Sequence, residues 1–555
     1  MLPRYRSSLA IFALLVGFIA TPIHSSANAA EEASCRKVLE KPLSGQSAID
    51  QLGSEIGYVA SINRRTPTQL KDLLLSSREF HIDICGRAFF ADSTFIANEL
   101  PLPNALEVLP TTLVTGNGIG ARPLIDPNQV FKLHSNPKSK KIMYLNFKGR
   151  DISGTAWNAN YNNNQPWFAK GFSQDDKFNE YTKTELEIIQ SVWQRVAEDF
   201  VAFDVDVTTE APSDAELDRT NAADTEYGTE IVISADSVIF NSCKCSGLAY
   251  LGSFDMIGPD HAANQPAWVF TRGVGDNPKY IAESITHELG HTVGLSHDGT
   301  ASSPYFSGNS GWAPIMGVGF YQPVTQWSKG EYPSANNNED EYEVMENHGL
   351  KLRTDEDKNS FESARNLNFG QKLGGVIGTP SDQDFFVFSV PSNGEFTLNA
   401  LPATFSPNLD IDLSIYENPS TKLAQSNPPI KVVNNDVADG MSAFITLKLT
   451  ANKKYYAVLT GTPVSTDGKN SRYGSIGTYQ ISLDLKSVVQ LSVLPVTQSN
   501  LQNSDQYSSN ADISDKLITP VASDDPQKLI LPNGITSVMI YKIKKSEWRA
   551  MMIAI

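Results

Sequence analysis

Beyond its first twenty residues this chain has no apolar stretch long enough to cross a bilayer, so no membrane span is expected. It has no surplus of positive charge either: 62 Asp and Glu outweigh 45 Lys and Arg, for a formal net charge of −17. Nucleic acid and anionic lipid call for basic patches, and this balance argues against both as partners. Cysteine is scarce, with 4 in 555 residues, and neither a calcium-binding nonapeptide nor a tandem array is present. What remains is an ordinary globular composition, 40% hydrophobic and 19% charged, in a chain too long for one core. Length alone suggests three or four domains; oligomeric state is not legible.

The one apolar run lies at the start. Arg4 and Arg6 precede the uncharged stretch 9–20, and small residues close it at Ala27-Asn28-Ala29. A basic start, a short apolar core and small residues at −3 and −1 predict a secretory signal over 1–29. At ~1.5 Å per residue the run reaches only ~18 Å, short of a ~30 Å hydrocarbon core. Glu31 and Glu32 stand where an apolar lipobox would be needed, so Cys35 is not read as a lipid anchor. A secreted protein, extracellular or periplasmic, is expected.

Residues 30–138 read as a first unit. Segments 70–75 and 95–100 have helix-like spacing, 82–91 reads as two short strands around a Gly turn, and 116–137 looks like a linker. Residues 139–352 open with the β-rich run 142–147. A 3.6-residue period over 182–203 predicts an amphipathic helix, with short strands at 204–208, 230–234, 247–254 and 267–271. A second helix over 280–295 should stop at Gly294. This order is an α/β layered pattern. Residues 353–486 hold short strands at 384–390, 410–416, 455–459 and 478–483, spaced by turns and free of helices, which predicts an all-β sandwich. A sandwich buries its own core, so the chain beyond about Arg353 is expected to be dispensable for what precedes it. Residues 487–555 read as a flexible or partial tail in which 528–543 could start a strand pair.

The informative stretch is His287-Glu288-Leu289-Gly290-His291-Thr292-Val293-Gly294-Leu295-Ser296-His297-Asp298. On a helix, His287 and His291 lie one turn apart and aim at one point. Gly294 can take φ > 0 and turn the chain so that His297 reaches the same point. Three imidazoles leave a fourth tetrahedral position to water, which marks a catalytic zinc rather than a structural one. Glu288, beside the first ligand, is placed to accept that water's proton as general base. Three of the chain's 8 histidines fall within this stretch; His81, His134, His261 and His348 lack partner spacing and read as surface or loop residues.

The stretch resembles the metzincin signature, His-Glu-x-x-His-x-x-Gly-x-x-His followed by a Met-containing turn. Trp312-Ala313-Pro314-Ile315-Met316-Gly317 supplies such a turn, and the resemblance implies that Met316 lies beneath the ligands. Asp298 after the third His is similar to the reprolysin (adamalysin-like) branch. The Tyr that other branches place two residues after the Met is Val318 here, and Tyr321 is a poor match. The implied fold is a mixed sheet plus helices with zinc in the cleft. Residues 353–485 resemble a bacterial pre-peptidase C-terminal domain through 364–367, 382–388, 409–416 and 477–479. Acidic pairs there offer oxygen ligands of the kind Ca²⁺ takes, although Asp at strand entries is commoner as turn chemistry.

The resemblance implies a secreted zinc endopeptidase acting on protein or peptide substrates, made as a zymogen. The alternative is an inactive scaffold used for binding or adhesion through its sandwich, against which the intact Glu288 speaks. Secretion favours disulfides, with three connectivities open to four cysteines. Cys35–Cys85 and Cys243–Cys245 are expected; the rival is a cysteine switch in which a free Cys85 fills zinc's open position.

Overall fold

Eight strands of the first 270 residues join in one sheet, while Gly149–Ile152 and Trp167–Lys170 pair apart from it. The computed structural model describes residues 35–93, 126–178, 180–355, 359–426, 441–464, 471–485, 535–544 and 547–554. The expected signal, the 95–100 segment and most of the tail lie outside the described residues.

In chain order the strands are β1 (Leu43–Ser44), β2 (Phe80–Ile82), β3 (Ala88–Ser93), β4 (Lys141–Asn146), β5 (Asp206–Thr208), β6 (Tyr227–Ser234), β7 (Cys245–Tyr250) and β8 (Ala267–Phe270). Their spatial order is β1-β2-β3-β7-β8-β6-β4-β5. β8, β6, β4 and β5 run parallel, and every residue of β6 and β8 is buried, as parallel strands covered on both faces require. β7 runs antiparallel to β8, and β3 antiparallel to β7. Three of the eight strands thus come from residues before 94.

Two helices back the parallel half. Lys183–Asp199 starts at a capping box in which Thr182 and Glu185 each accept the other's backbone N–H. Pro278–Thr292 starts with Pro278 as its first residue, after Asn277, whose side chain accepts the Lys279 N–H at 2.9 Å. Ile189, Val192 and Val196 of the first share a core with Ile281, Ile285 and Leu289 of the second. Both helices fall where they were expected, each ending a few residues before its expected end.

The first unit has its own small core, in which helices Gly45–Leu52, Ile56–Ile62 and Pro67–Ser76 pack Leu52, Val59 and Leu70 against Phe80 and Phe90. Both expected disulfides are formed, Cys35–Cys85 and Cys243–Cys245, and no free cysteine remains. Cys85 is therefore not a free thiolate aimed at a metal.

After residue 360 the chain forms two facing sheets. One orders Arg365–Asn366, Asp384–Phe388, Tyr455–Gly461, Ile411–Asn418 and Thr421–Gln425; the other orders Lys372–Ile377, Gly477–Leu485, Gly394–Pro402 and Ala443–Leu449. Phe396, Leu398 and Ala400, alternating with more exposed neighbours, meet Phe386, Leu413 and Leu459 across the core. The sandwich does not stand apart from what precedes it. Tyr473 and Ile476 join the core beneath the two helices, and Met441 and Val464 pack with Trp312, Val324 and Tyr332. Separately, Ile535–Lys544 and Glu547–Ala554 form an antiparallel hairpin.

One histidine departs from expectation. His261, read as a surface or loop residue, is fully buried on the short helix Pro259–Ala263, with Nδ1 3.3 Å from the Arg219 N–H. A five-residue helix carries too little periodicity for sequence to reveal which face it buries.

Candidate metal centre

Every residue of the ligand helix from Ile281 to Thr292 is buried, so the side chains of His287 and His291 emerge into protein, not water. The helix then closes by a Schellman turn: the Gly294 N–H donates to His291 O at 3.0 Å and the Leu295 N–H to Gly290 O at 3.0 Å. Gly294 sits at φ +94°, and a Cβ there would also run into the His348 ring. The turn delivers His297, whose Nε2 lies 3.1 Å from that of His291. The sequence-predicted triad is brought together.

The far nitrogen of two of these rings is fixed. His287 Nδ1 lies 2.9 Å from Ile315 O and His291 Nδ1 2.8 Å from Leu295 O. A carbonyl only accepts, so each Nδ1 carries the proton and each Nε2 presents a lone pair. Burial pushes His291 down to about 4 and lowers His297, so both are neutral imidazoles near pH 7. Met316 is buried beneath the helix: a Cβ at Gly290 would meet its sulfur, and its carbonyl accepts the Asp298 N–H at 2.8 Å. Tyr321 stays away from the centre, half-exposed beside Tyr280.

Two residues at the centre were not among those named from sequence. Asp92, on β3, puts Oδ2 3.1 Å from His287 Nε2 and 3.5 Å from His291 Nε2, and Oδ1 2.9 Å from His297 Nε2. Burial works against its charge, but His297 and His287 outweigh it and hold its pKa well below the carboxylate range. Tyr305 donates to Asp92 Oδ1 at 2.9 Å and its ring lies 4.4 Å from that of His297. Asp92 lies far upstream of the motif, and Tyr305 lies between the motif and the Met-containing turn. The available signal was the alternation of β3, which places Phe90 and Asp92 on one face and Phe89 and Ala91 on the other.

Glu288 is buried on the same side. A Cβ at Gly247 would overlap its Oε1, so glycine at this β7 position leaves the room the carboxyl occupies. Burial raises its pKa well above the usual range, and the Asp92 carboxylate adds to the shift.

Asp92, His287, His291 and His297 thus form a buried group whose ligand atoms lie within 4.8 Å of one another, a set able to hold a metal ion. Three nitrogens and one carboxylate oxygen suit zinc's tetrahedral preference. A second acidic group, Asp355, Asp382 and Asp384, meets the same distance limit at the sandwich.

No protein-family model matches this chain, and no curated protein matches it. Among solved structures, the pre-peptidase C-terminal domain of a Bacillus anthracis collagenase is similar at 14% identity over 23% of this chain and 99% of its own, with a TM-score of 0.16. The periplasmic g-type lysozyme inhibitor PliG of Aeromonas hydrophila matches at 11% identity over 22% of this chain and 96% of its own, TM-score 0.14. CorA, a surface-associated copper-binding protein of Methylomicrobium album BG8, matches at 11% over 22% of this chain and 98% of its own, TM-score 0.15. All three likenesses are faint and local.

Proposed function

We propose that this chain is an exported zinc endopeptidase of the metzincin type, reprolysin-like branch, made as a zymogen and acting on protein or peptide substrates. The observation that carries the proposal is the convergence of His287, His291 and His297, with Glu288 buried beside them. Zinc held there would supply Lewis acidity towards a peptide carbonyl and lower the pKa of a bound water.

The rest falls to the chain's own groups. Ile315 O and Leu295 O lock two rings so that Nε2 faces the centre. Glu288 takes a proton from the attacking water at its carboxylate and returns one to the leaving amine. Met316 supports the ligand helix from below. Among the described residues no helix is long and apolar enough to cross a membrane, which is compatible with export.

The test separates binding from chemistry. Glu288→Ala is expected to keep zinc while the processed protein loses nearly all hydrolysis of casein, whereas His291→Ala loses both. Substantial turnover by Glu288→Ala removes it as the base. Zinc bound without any hydrolysis by the processed wild-type protein would favour a binding or adhesion role on an inactive scaffold.

A further inference from the structure

We infer that the chain carries a further cation site, for Ca²⁺, between the buried carboxylates of Asp298 and Glu341. The inference goes beyond the peptidase reading and does not depend on it.

Asp298 and Glu341 are each 1% exposed. They come from separate stretches: Asp298 follows the third histidine of the motif, and Glu341 opens the helix Glu341–Asn347. Ser328 ties them together, giving its backbone N–H to Glu341 Oε2 at 2.5 Å and its hydroxyl to Asp298. Neither carboxylate has a complete set of partners. Asp298 Oδ2 and Glu341 Oε1 are shut off from water and accept no hydrogen bond. A buried carboxylate oxygen without a donor is among the costliest arrangements in a folded chain, and here two such groups stand together.

The surrounding charges make this worse. Those that bear on Glu341 belong to Asp298, Glu339 and Asp340, and all are negative. The nearby Arg65 lies 4.0 Å from Glu339 and pairs with that residue instead. Glu339 and Asp340 are themselves engaged: Glu339 accepts the Ser296 N–H at 3.2 Å, and Asp340 accepts the Tyr473 hydroxyl at 2.8 Å. The unmatched oxygens are thus those of Asp298 and Glu341. A proton shared between them would remove one negative charge of the four gathered here. A divalent cation removes two and takes both unmatched oxygens as ligands.

Every donor atom at this place is an oxygen, which selects a hard cation and not one that prefers imidazole. Ca²⁺ accepts irregular sets of carboxylate, hydroxyl and carbonyl oxygens, whereas Mg²⁺ demands a near-ideal octahedron and keeps most of its waters. Carboxylates brought by a loop and a helix start, with the Ser328 hydroxyl beside them, suit the first. The backbone of Asp298 is already pinned, its N–H donating to Met316 O at 2.8 Å and its carbonyl accepting the Phe306 N–H at 2.7 Å. An ion on its side chain would clamp the segment that carries His297 to Ser328 and to the helix start.

The experiment uses the metal-free full chain at pH 7 and counts bound calcium by equilibrium dialysis, with Tm measured in parallel. Asp382→Asn removes a charge from the separate acidic group at the sandwich and provides a second background, so that calcium held there is not mistaken for this site. The Asp382→Asn chain should still bind Ca²⁺, and saturating calcium should raise its Tm by at least about 3 °C. Glu341→Gln keeps the Ser328 contact and removes the charge. In either background it should weaken the binding of one Ca²⁺ at least about tenfold and cancel that share of the Tm gain. Its Tm in calcium-free buffer should be no lower than that of its parent, because a buried repelling charge is gone. An Asp382→Asn chain that binds no Ca²⁺ overturns the inference, whether or not the Glu341 variant folds. Glu341→Gln with the calcium binding and Tm gain of its parent overturns it too. A Tm blind to calcium would mark a proton shared between the two carboxylates and overturn it as well.

Discussion

Glu288 and Gly247 face each other across a gap that only glycine leaves. A Cβ at position 247 would stand 1.9 Å from Glu288 Oε1, and the strand carrying it is fixed by β3 and β8 on either side. Gly247→Ala should therefore displace the carboxyl while the three imidazoles stay where they are. The expected result is full zinc content with hydrolysis reduced by about a hundredfold, the scale of loss that follows an ångström-sized misplacement of a catalytic group. Zinc analysis and peptide turnover on the processed protein check it; normal turnover would mean that Glu288 has another place to go. At this scale the motif was legible in the sequence, since His287, Glu288, His291 and His297 are set by helical spacing and one glycine turn. Asp92 and Tyr305 were not, because a strand far upstream meets the motif only through the sheet and the irregular loop after the motif has no periodicity, so spacing reports neither contact. Cys85 gave the nearest upstream hint of a latency ligand, and its disulfide takes it out of that role.

Among the elements, the turn after the ligand helix and the end of the long helix carry the most consequence. Gly294→Ala adds a side chain at φ +94° and against His348, so the Schellman turn must rearrange. His297 is then expected to leave the centre, with zinc affinity falling at least about tenfold in a chelator competition; unchanged affinity would show that the turn does not position this ligand. Asp199, at the end of the long helix, accepts hydrogen bonds from Thr286 of the ligand helix at 2.7 Å and Asn408 of the sandwich at 2.8 Å. Burial, reinforced by Glu283, raises its pKa to about 8. The folded state therefore keeps a proton that the unfolded chain sheds from about pH 4 upwards, and stability falls as pH rises until the folded group also ionises. Asp199→Asn should reduce the fall of Tm between about pH 5 and 8 without abolishing it, because Asp410, also raised to about 8, keeps its own share. Parallel Tm curves for the two proteins would refute this assignment. Element types were largely legible, since long periodic stretches identify themselves. Ends were less so: both helices stop short of their apolar runs, which continue into the capping turns.

For the molecule as a whole, composition and turn spacing correctly divided helix-rich from strand-rich chain, yet they suggested more independence than the contacts allow. Glu198 accepts the Thr478 N–H and hydroxyl at 2.8 Å each, and Tyr473 donates to Asp340 at 2.8 Å and accepts the Tyr342 N–H at 3.0 Å. Cutting the chain after Leu352 removes these partners together with Tyr473 and Ile476 from the shared core. Each buried polar group left unmatched costs about 1–3 kcal/mol. The truncated protein is thus expected to show a clearly lower Tm and reduced short-peptide hydrolysis, in contrast to the dispensability that strand spacing alone implies. An unshifted Tm would restore the view of the sandwich as a separate module. Sequence could not foresee the shared core, because periodicity reports which face of an element is apolar and not which element will cover it.

The eight-stranded sheet also bears on the chain's life before any substrate is met. While β3 lies on β7, that border of the sheet offers no row of unpaired amides and carbonyls to a neighbouring molecule. Loss of β3 would bare it and leave an adhesive border. Full-length copies would remain separate at concentrations where copies stripped of the first unit stick to each other, and that unit would serve as the chain's safeguard against clumping.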